Sequence, residues 1–220
     1  MRSPHEPIGD ATARQRPRGG MLAVALLVAL AGCAGGRSGV VYNSSFTAGY
    51  DPFSVSAALS RAPLLVETYG SPAAGVAAEP ATGVATESVN QATVQGLRRH
   101  GPSWFPRNFT GSPTDAGNGP YRLRIAYNLP QSFNRQLVCS STMDAGLIEA
   151  ARGQGDQAST RTLASFCRGE TTLSSAEGSP GSAVEVGGED FSRFVGHLGR
   201  AVMPRRNPEL DDDCLFRVCD

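Results

Sequence analysis

The sequence predicts an α+β domain, a mixed sheet of four to five strands with two main helices packed on one face. Three observations carry this. Residues 121–129 alternate Tyr121, Leu123, Ile125, Tyr127 and Leu129 with Arg122, Arg124, Ala126 and Asn128, the period of a strand with one buried and one wet face. Residues 189–202 place Phe191, Phe194, Val195, Leu198 and Val202 on one stripe at helical spacing. Around these two segments the order reads strand, helix, strand, two or three further strands, helix, with Gly/Pro punctuation between.

The chain opens differently. Arg14, Arg16 and Arg18 precede eleven apolar or small residues, 21–31, that end in Leu30-Ala31-Gly32-Cys33. A positive flank, a short apolar run and small residues before a cut describe an export signal. The run is too short for a membrane span, which needs ~20 apolar residues. A buried cytosolic helix would not explain the arginines or the cysteine, although an ordinary cleaved signal can carry a cysteine there by chance. Leu30-Ala31-Gly32-Cys33 resembles the lipobox of bacterial lipoproteins. The resemblance implies that Cys33 receives a diacylglyceryl group, that cleavage precedes it and that the new amino terminus is acylated. It also implies, from Ala34 rather than Asp after the cysteine, a cell-envelope location in the outer membrane facing the periplasm. The positive flank before the apolar run has no Arg-Arg pair, which favours the general secretory route. The expected organisation is then a signal peptide at 1–32, a flexible tether at 33–50, one domain at 51–208 and a cysteine-containing acidic tail at 209–220.

Cleavage before Cys33 would leave 188 residues, enough for one domain. The 220-residue chain is formally neutral, and removing residues 1–32 takes four arginines and two acids, leaving a balance of −2. That balance gives no reason to expect nucleic acid as a partner. The chain has no lysine, as expected of a genome that favours arginine codons.

Residues 34–50 are small and polar without a helical stripe, and read as tether. Tyr50-Asp51-Pro52-Phe53 marks the start of folded structure. Leu64, Leu65 and Val66 form the first strand of the prediction, stopped by Gly70-Ser71-Pro72, and residues 71–83 read as a loop. A helix follows over about 86–100, with Ala85, Val89, Ala92 and Gly96 on one face and Gly101-Pro102 at its end; its small residues would let it lie close to a sheet. Residues 104–110 are extended, and Pro106 demotes them to an edge strand or loop. Residues 111–120 are turn chemistry. After the alternating strand, residues 136–139 read as a short strand, 143–151 as a helical insert and 161–167 as a strand, which Arg168-Gly169-Glu170 turns into a hairpin with 171–175. Residues 178–188 read as a loop. Glu189 and Asp190 suit the start of the last helix, Arg200 its end, and Pro204 stops it. Its stripe should pack on the sheet face that carries Leu123, Ile125 and Tyr127.

Gly70-Ser71-Pro72 after a short strand, then a helix, an alternating strand and Phe166-Cys167-Arg168-Gly169, is similar to a group of uncharacterised proteobacterial envelope lipoproteins. The resemblance covers most of residues 51–208 and implies no catalytic residue.

Besides Cys33 there are four cysteines, Cys139, Cys167, Cys214 and Cys219. An even number in an oxidising compartment points to two disulfides, with three connectivities open. The expected pairing is Cys139–Cys167, as opposed residues of two strands paired about residues 153–155, and Cys214–Cys219 in the tail. Without a C-x-x-C pair, and with only His100 and His197 as imidazoles after residue 33, no metal and no cofactor is expected.

No nucleophile elbow, zincin, P-loop, dinucleotide or EF-hand motif occurs, so no catalytic residue is assigned. His197 sits beside the core position Leu198, where a half-exposed helix histidine is commoner than a general base. His100 suits a helix C-terminus. Asp211, Asp212 and Asp213 read as a solvated acidic run rather than a calcium loop. Arg122 and Arg124 share one strand face and are the candidate contact for an anionic ligand or envelope polymer, against the simpler reading of a wet sheet face. Two function classes follow: a non-enzymatic lipoprotein that binds an envelope protein or polymer, which the missing motifs favour, and a membrane-tethered periplasmic hydrolase.

Overall fold

The alternating segment forms strand β4 (Tyr121–Ala126), an inner strand of a six-stranded open sheet. The computed structural model describes residues 39–70, 72, 87–104, 106–129, 133–141, 161–181 and 184–210. The other strands are β1 (Val40–Phe46), β2 (Leu64–Tyr69), β3 (Phe109–Thr110), β5 (Thr162–Arg168) and β6 (Thr171–Ser179). Helices α1 (Pro52–Leu59), α2 (Glu87–His100), α3 (Pro113–Ala116) and α4 (Glu189–Val202) complete the fold, with a 3-10 turn at Arg135–Leu137.

The sheet order is β1-β6-β5-β4-β2-β3. β2 pairs in parallel with β3 and β4, and every other pairing is antiparallel, so the sheet is mixed. The parallel pair β2 and β4 is joined through α2, as parallel neighbours need a crossover. β5 and β6 form the expected hairpin over Gly169-Glu170, and only Gly169 has positive φ (59°), the signature of a type II′ turn.

The structure departs from the sequence reading in several parts: the sheet has six strands rather than four or five, α1 stands where no helix was expected, and α3 lies within the expected turn at 111–120. Residues 40–46 are not tether: they form β1, an edge strand antiparallel to β6. Residues 136–139 are not a strand: Asn134 caps the 3-10 turn by accepting from Gln136 N–H. Residues 143–151 lie outside the described residues.

The helix-facing core joins Leu64 and Val66 of β2, Leu123 and Ile125 of β4, Ala164 and Phe166 of β5, and Phe191, Phe194, Val195, Leu198 and Val202 of α4. Tyr127 lies fully buried among them with its ring centroid 6.0 Å from that of Phe191, and its hydroxyl meets Thr93 Oγ1 at 2.8 Å. The stripe of α4 therefore packs on the sheet face that the alternation specifies.

α2 and α4 touch one another closely as well as the sheet, and they run in the same direction: Gly96 meets Ser192 and Val195, and Gly196 meets His100. The small residue expected to bring α2 near the sheet, Gly96, thus brings it near the other helix. A β-carbon on Gly196 would stand 2.3 Å from His100 Cβ and 2.6 Å from its carbonyl carbon, and one on Gly199 would stand 2.6 Å from Leu97 Cδ2. Backbone cannot yield as a flexible side-chain tip does, so Gly196→Ala should force the helices apart and cost ~1–3 kcal/mol. Chemical denaturation measures it, and an unchanged midpoint would remove this contact from the account.

Candidate functional site

Arg122 and Arg124 do share a sheet face, the one opposite the helices, but that face is not wet. Arg124 is 2 % exposed. Its Nε donates to Glu67 Oε2 on β2 at 2.6 Å, and its Nη1 donates to the Val138 and Ser140 carbonyls at 2.8 and 3.3 Å. Its guanidinium also stands 5.9 Å from the Tyr69 ring centroid, within cation–π range. Arg122 Nη1 lies 3.6 Å from Glu67 Oε1. Both cations are therefore engaged by one carboxylate, and Arg124 is built into the structure rather than offered to a ligand. A buried cation without a partner is costly, which explains the directed acceptors around it.

The segment that supplies those carbonyls covers a second apolar core on this face, formed by Tyr69, Ala126, Leu129, Val138 and Leu163 with Phe133 against it. Beside that core Arg161 grips Glu177 through two bonds, Nε to Oε2 at 3.2 Å and Nη2 to Oε1 at 2.9 Å. The structure joins Cys139 to Cys167, with Cα atoms 5.6 Å apart. The pairing is the expected one, but its expected cause is wrong. Cys167 faces Arg122 on β4 and Thr172 on β6, while Cys139 follows the 3-10 turn and reaches the sheet from outside it. Cys33, Cys214, Cys219 and Asp211 to Asp213 lie outside the described residues.

A groove of about 730 Å³ opens at the end of the sheet where β1 finishes. Its walls come from three parts of the chain: the turn after β1 with the start of α1, the stretch after α2, and the stretch after α4. Asp51 caps α1 by accepting from Phe53 N–H at 3.1 Å and Ser54 N–H at 3.3 Å, with Pro52 at the first helical position. The Ser54 hydroxyl and these amides hold the Asp51 carboxyl below its ordinary range. Val55 and Leu59 bury one side of this short helix, and Phe53, off their stripe, is 86 % exposed.

Three side chains tie the walls together through four bonds. Tyr50 Oη donates to the Pro204 carbonyl at 2.7 Å, and burial, then the Asp51 charge, raise its hydroxyl's pKa. Trp104 Nε1 donates to the Met203 carbonyl at 2.9 Å. Asn207, 5 % exposed, donates from Nδ2 to the carbonyls of Thr47 at 2.9 Å and Tyr50 at 3.0 Å. Arg205, Arg206 and Leu210 complete the lining beside Phe53 and Trp104. Both arginines are exposed, and no carboxylate among the described residues pairs with either. Two aromatic rings beside two arginines suit a ligand with a flat or apolar body and an acidic group. Sequence reasoning named none of these residues as a site, though Phe53 was readable as an aromatic off the apolar stripe of its helix.

The histidines lie elsewhere. His100 Nε2 is 3.4 Å from Glu189 Oε1, and Arg200 Nη1 donates to the His100 carbonyl, so Arg200 serves the end of α2 rather than its own helix. Arg193, then His100, lower the pKa of Glu189. Neither histidine has a hydrogen bond to a serine or cysteine among the described residues, and no group of three His, Cys, Asp or Glu there is arranged to hold a metal ion. No helix among the described residues is long and apolar enough to cross a membrane. Comparison with family models, with curated proteins and with solved structures found no match.

Two expectations follow. The disulfide closes a loop across a sequence separation of 28, so the double variant Cys139→Ser/Cys167→Ser should lose about 3–4 kcal/mol in urea. A midpoint equal to that of the parent would show that the bridge adds nothing. His197 has its pKa lowered from 6.5, by desolvation first and by the Arg200, His100 and Arg193 charges second. The unfolded chain then binds the proton more readily, so stability falls as pH drops below about 6.5 and until the lower folded value is passed. His197→Gln should flatten the loss of melting temperature between about pH 7 and pH 5, and identical slopes would contradict the shift.

Proposed function

We propose that this chain is a bacterial envelope lipoprotein, anchored in the outer membrane through acyl groups on Cys33, whose domain binds a partner without catalysing a reaction. The observation that carries the reading is the order of parts along β1. The lipobox cysteine precedes β1 by seven residues, and β1 runs from there to the groove. Six intervening residues reach at most ~20 Å, which would keep the Val40 end of the sheet near the bilayer. The seven residues of β1 rise ~20 Å, so the groove would open on the membrane-distal end, towards the periplasm.

Two features support an exported binding domain. A buried disulfide is durable in an oxidising compartment and rare in a reducing one. The groove holds exposed aromatic and arginine side chains, the types that dominate binding sites, and its lining includes no histidine or cysteine. The partner class is an envelope protein or polymer that carries acidic groups, and nucleic acid is not part of the reading.

Stable anchoring takes more than one acyl chain, at ~0.8 kcal/mol per buried CH₂. In a bacterial host, Cys33→Ser should abolish labelling by radioactive palmitate and leave the protein unprocessed or in the soluble fraction. Undiminished labelling and membrane partition of that variant would overturn the proposal.

A further inference from the structure

Most polar side chains that line the groove are already engaged within the chain. Tyr50 Oη and Trp104 Nε1 donate to the carbonyls of Pro204 and Met203. Asn207 donates through Nδ2 to Thr47 and Tyr50, and its Oδ1 accepts from Glu209 N–H. Asp51 turns one carboxylate oxygen to Phe53 N–H and the other to Ser54, so both serve the cap of α1. What the groove keeps for an outside molecule is the half-buried Ser56, two exposed guanidinium groups and apolar surface. Among the described residues, no carboxylate pairs with Arg205 or Arg206.

Those free groups select among acidic ligands. A guanidinium only donates, so it calls for acceptors, and a carboxylate only accepts. A sugar ring carries hydroxyls that donate as well as accept. Stacked on Phe53 or Trp104, it would press those hydroxyls against walls whose acceptors are largely engaged, and an unmet buried donor is costly. A peptide differs, because its acidic and apolar groups sit at the tips of side chains while its backbone N–H groups can stay in water. We propose that the groove binds a protein partner through a peptide segment in which acidic side chains stand beside an aromatic or large aliphatic one. The carboxylates pair with Arg205 and Arg206, and the apolar side chain covers Phe53 and Leu210. This rests on the reading of the groove as a site for an acidic partner, and adds that the partner is a peptide rather than a glycan or a lipid.

The groove is also suited to such a segment in size and stiffness. A volume of about 730 Å³ falls in the range of ordinary ligand sites, with room for a few side chains. Tyr50, Trp104 and Asn207 hold its walls to one another, so little ordering is left for the moment of binding. Phe53 and Leu210, 86 % and 57 % exposed, offer apolar area that a partner can remove from water. Single exposed ion pairs are weak, so the arginines contribute selectivity while the apolar contact adds affinity.

Trp104 is the only tryptophan of the chain and lines the groove, so its fluorescence reports occupancy. The purified full chain in detergent micelles is titrated with a random copolymer of glutamate and tyrosine. Polyglutamate, alginate and micelles containing phosphatidylglycerol are run in parallel. The copolymer should bind about fivefold more tightly than polyglutamate, which lacks the ring. R205A/R206A should weaken it about tenfold and F53A about fivefold. All three side chains are exposed, so melting temperatures should stay near that of the parent. About 1 M salt should remove the share due to the arginines, since the screening length falls to ~3 Å. Alginate bound as tightly as the copolymer would overturn the peptide while leaving an acidic partner in place. Phosphatidylglycerol bound through the same arginines would overturn it in favour of a lipid surface. Copolymer binding that R205A/R206A leaves unchanged would overturn it as well, and silence of every anionic probe would sink the acidic-partner reading with it.

Discussion

A buried cation organises the outer half of this domain. Arg124 points from the middle of β4 to the face away from the helices, at 2 % exposure. Leaving it unpaired there would cost several kcal/mol, so its surroundings must supply acceptors. Glu67 on β2 meets it from the neighbouring strand at the register position directly across, Glu67 to Arg124. The carbonyls of Val138 and Ser140 meet it from outside the sheet. The loop that brings them is stapled to β5 by Cys139–Cys167 and drops Val138 onto Ala126 and Leu163. One arginine therefore fixes a strand register, a loop path and a second core.

This also marks where sequence reasoning stops. Alternation correctly places Leu123, Ile125 and Tyr127 against the α4 stripe, because both periods are local properties of their own segments, but Leu129, expected on the same face, lies in the second core with Ala126 after Asn128 takes a positive φ of 56°. Whether the other face of a strand meets water depends on what the rest of the chain lays over it. Nothing in Arg122-Leu123-Arg124 announces the 133–141 loop. β1 was hidden for a related reason. Asn43 takes a positive φ of 55° at a bulge between Tyr42 and Ser44, which breaks the two-residue period, and the strand is polar because it forms the edge. The disulfide shows that a pairing can be right while its geometry is not: proximity came from a loop crossing the sheet face, not from two paired strands.

The site was less legible than the fold. Its residues lie within positions 48–56, at 104 and within 205–210, and nothing in their spacing relates them. They come together through Tyr50, Trp104 and Asn207, whose side chains each bond a carbonyl from a distant part of the chain. Side chain to backbone bonds of this kind have no periodicity for a sequence to show. The sequence candidates, Arg122 and Arg124, were chosen for charge and shared face, and charge alone does not separate a ligand-binding arginine from one that the protein consumes itself.

The absence of lysine takes on a physical meaning in this light. Among the described residues, several arginines donate to main-chain carbonyls away from their own position: Arg98 to Phe109, Arg107 to Arg98, Arg99 and Pro102, Arg122 to Gly169, Arg124 to Val138 and Ser140, and Arg200 to His100. Helix ends and loops leave carbonyls without partners, and a guanidinium carries five donors in a planar fork where an ammonium carries three on a point. Arg98, Arg107 and Arg200 all serve the region around the end of α2, next to the glycine contact with α4. That helix pair has little side-chain volume between its axes at Gly96, Gly196 and Gly199, so its ends have to be held by bonds rather than by bulk. Codon bias is sufficient to explain why lysine is missing, and the fold has put the resulting arginines to structural use. Arg205 and Arg206, exposed beside Phe53 and Trp104, depart from this pattern, since no described carbonyl or carboxylate takes their donors. That contrast, more than their charge, distinguishes the groove arginines from those of the sheet.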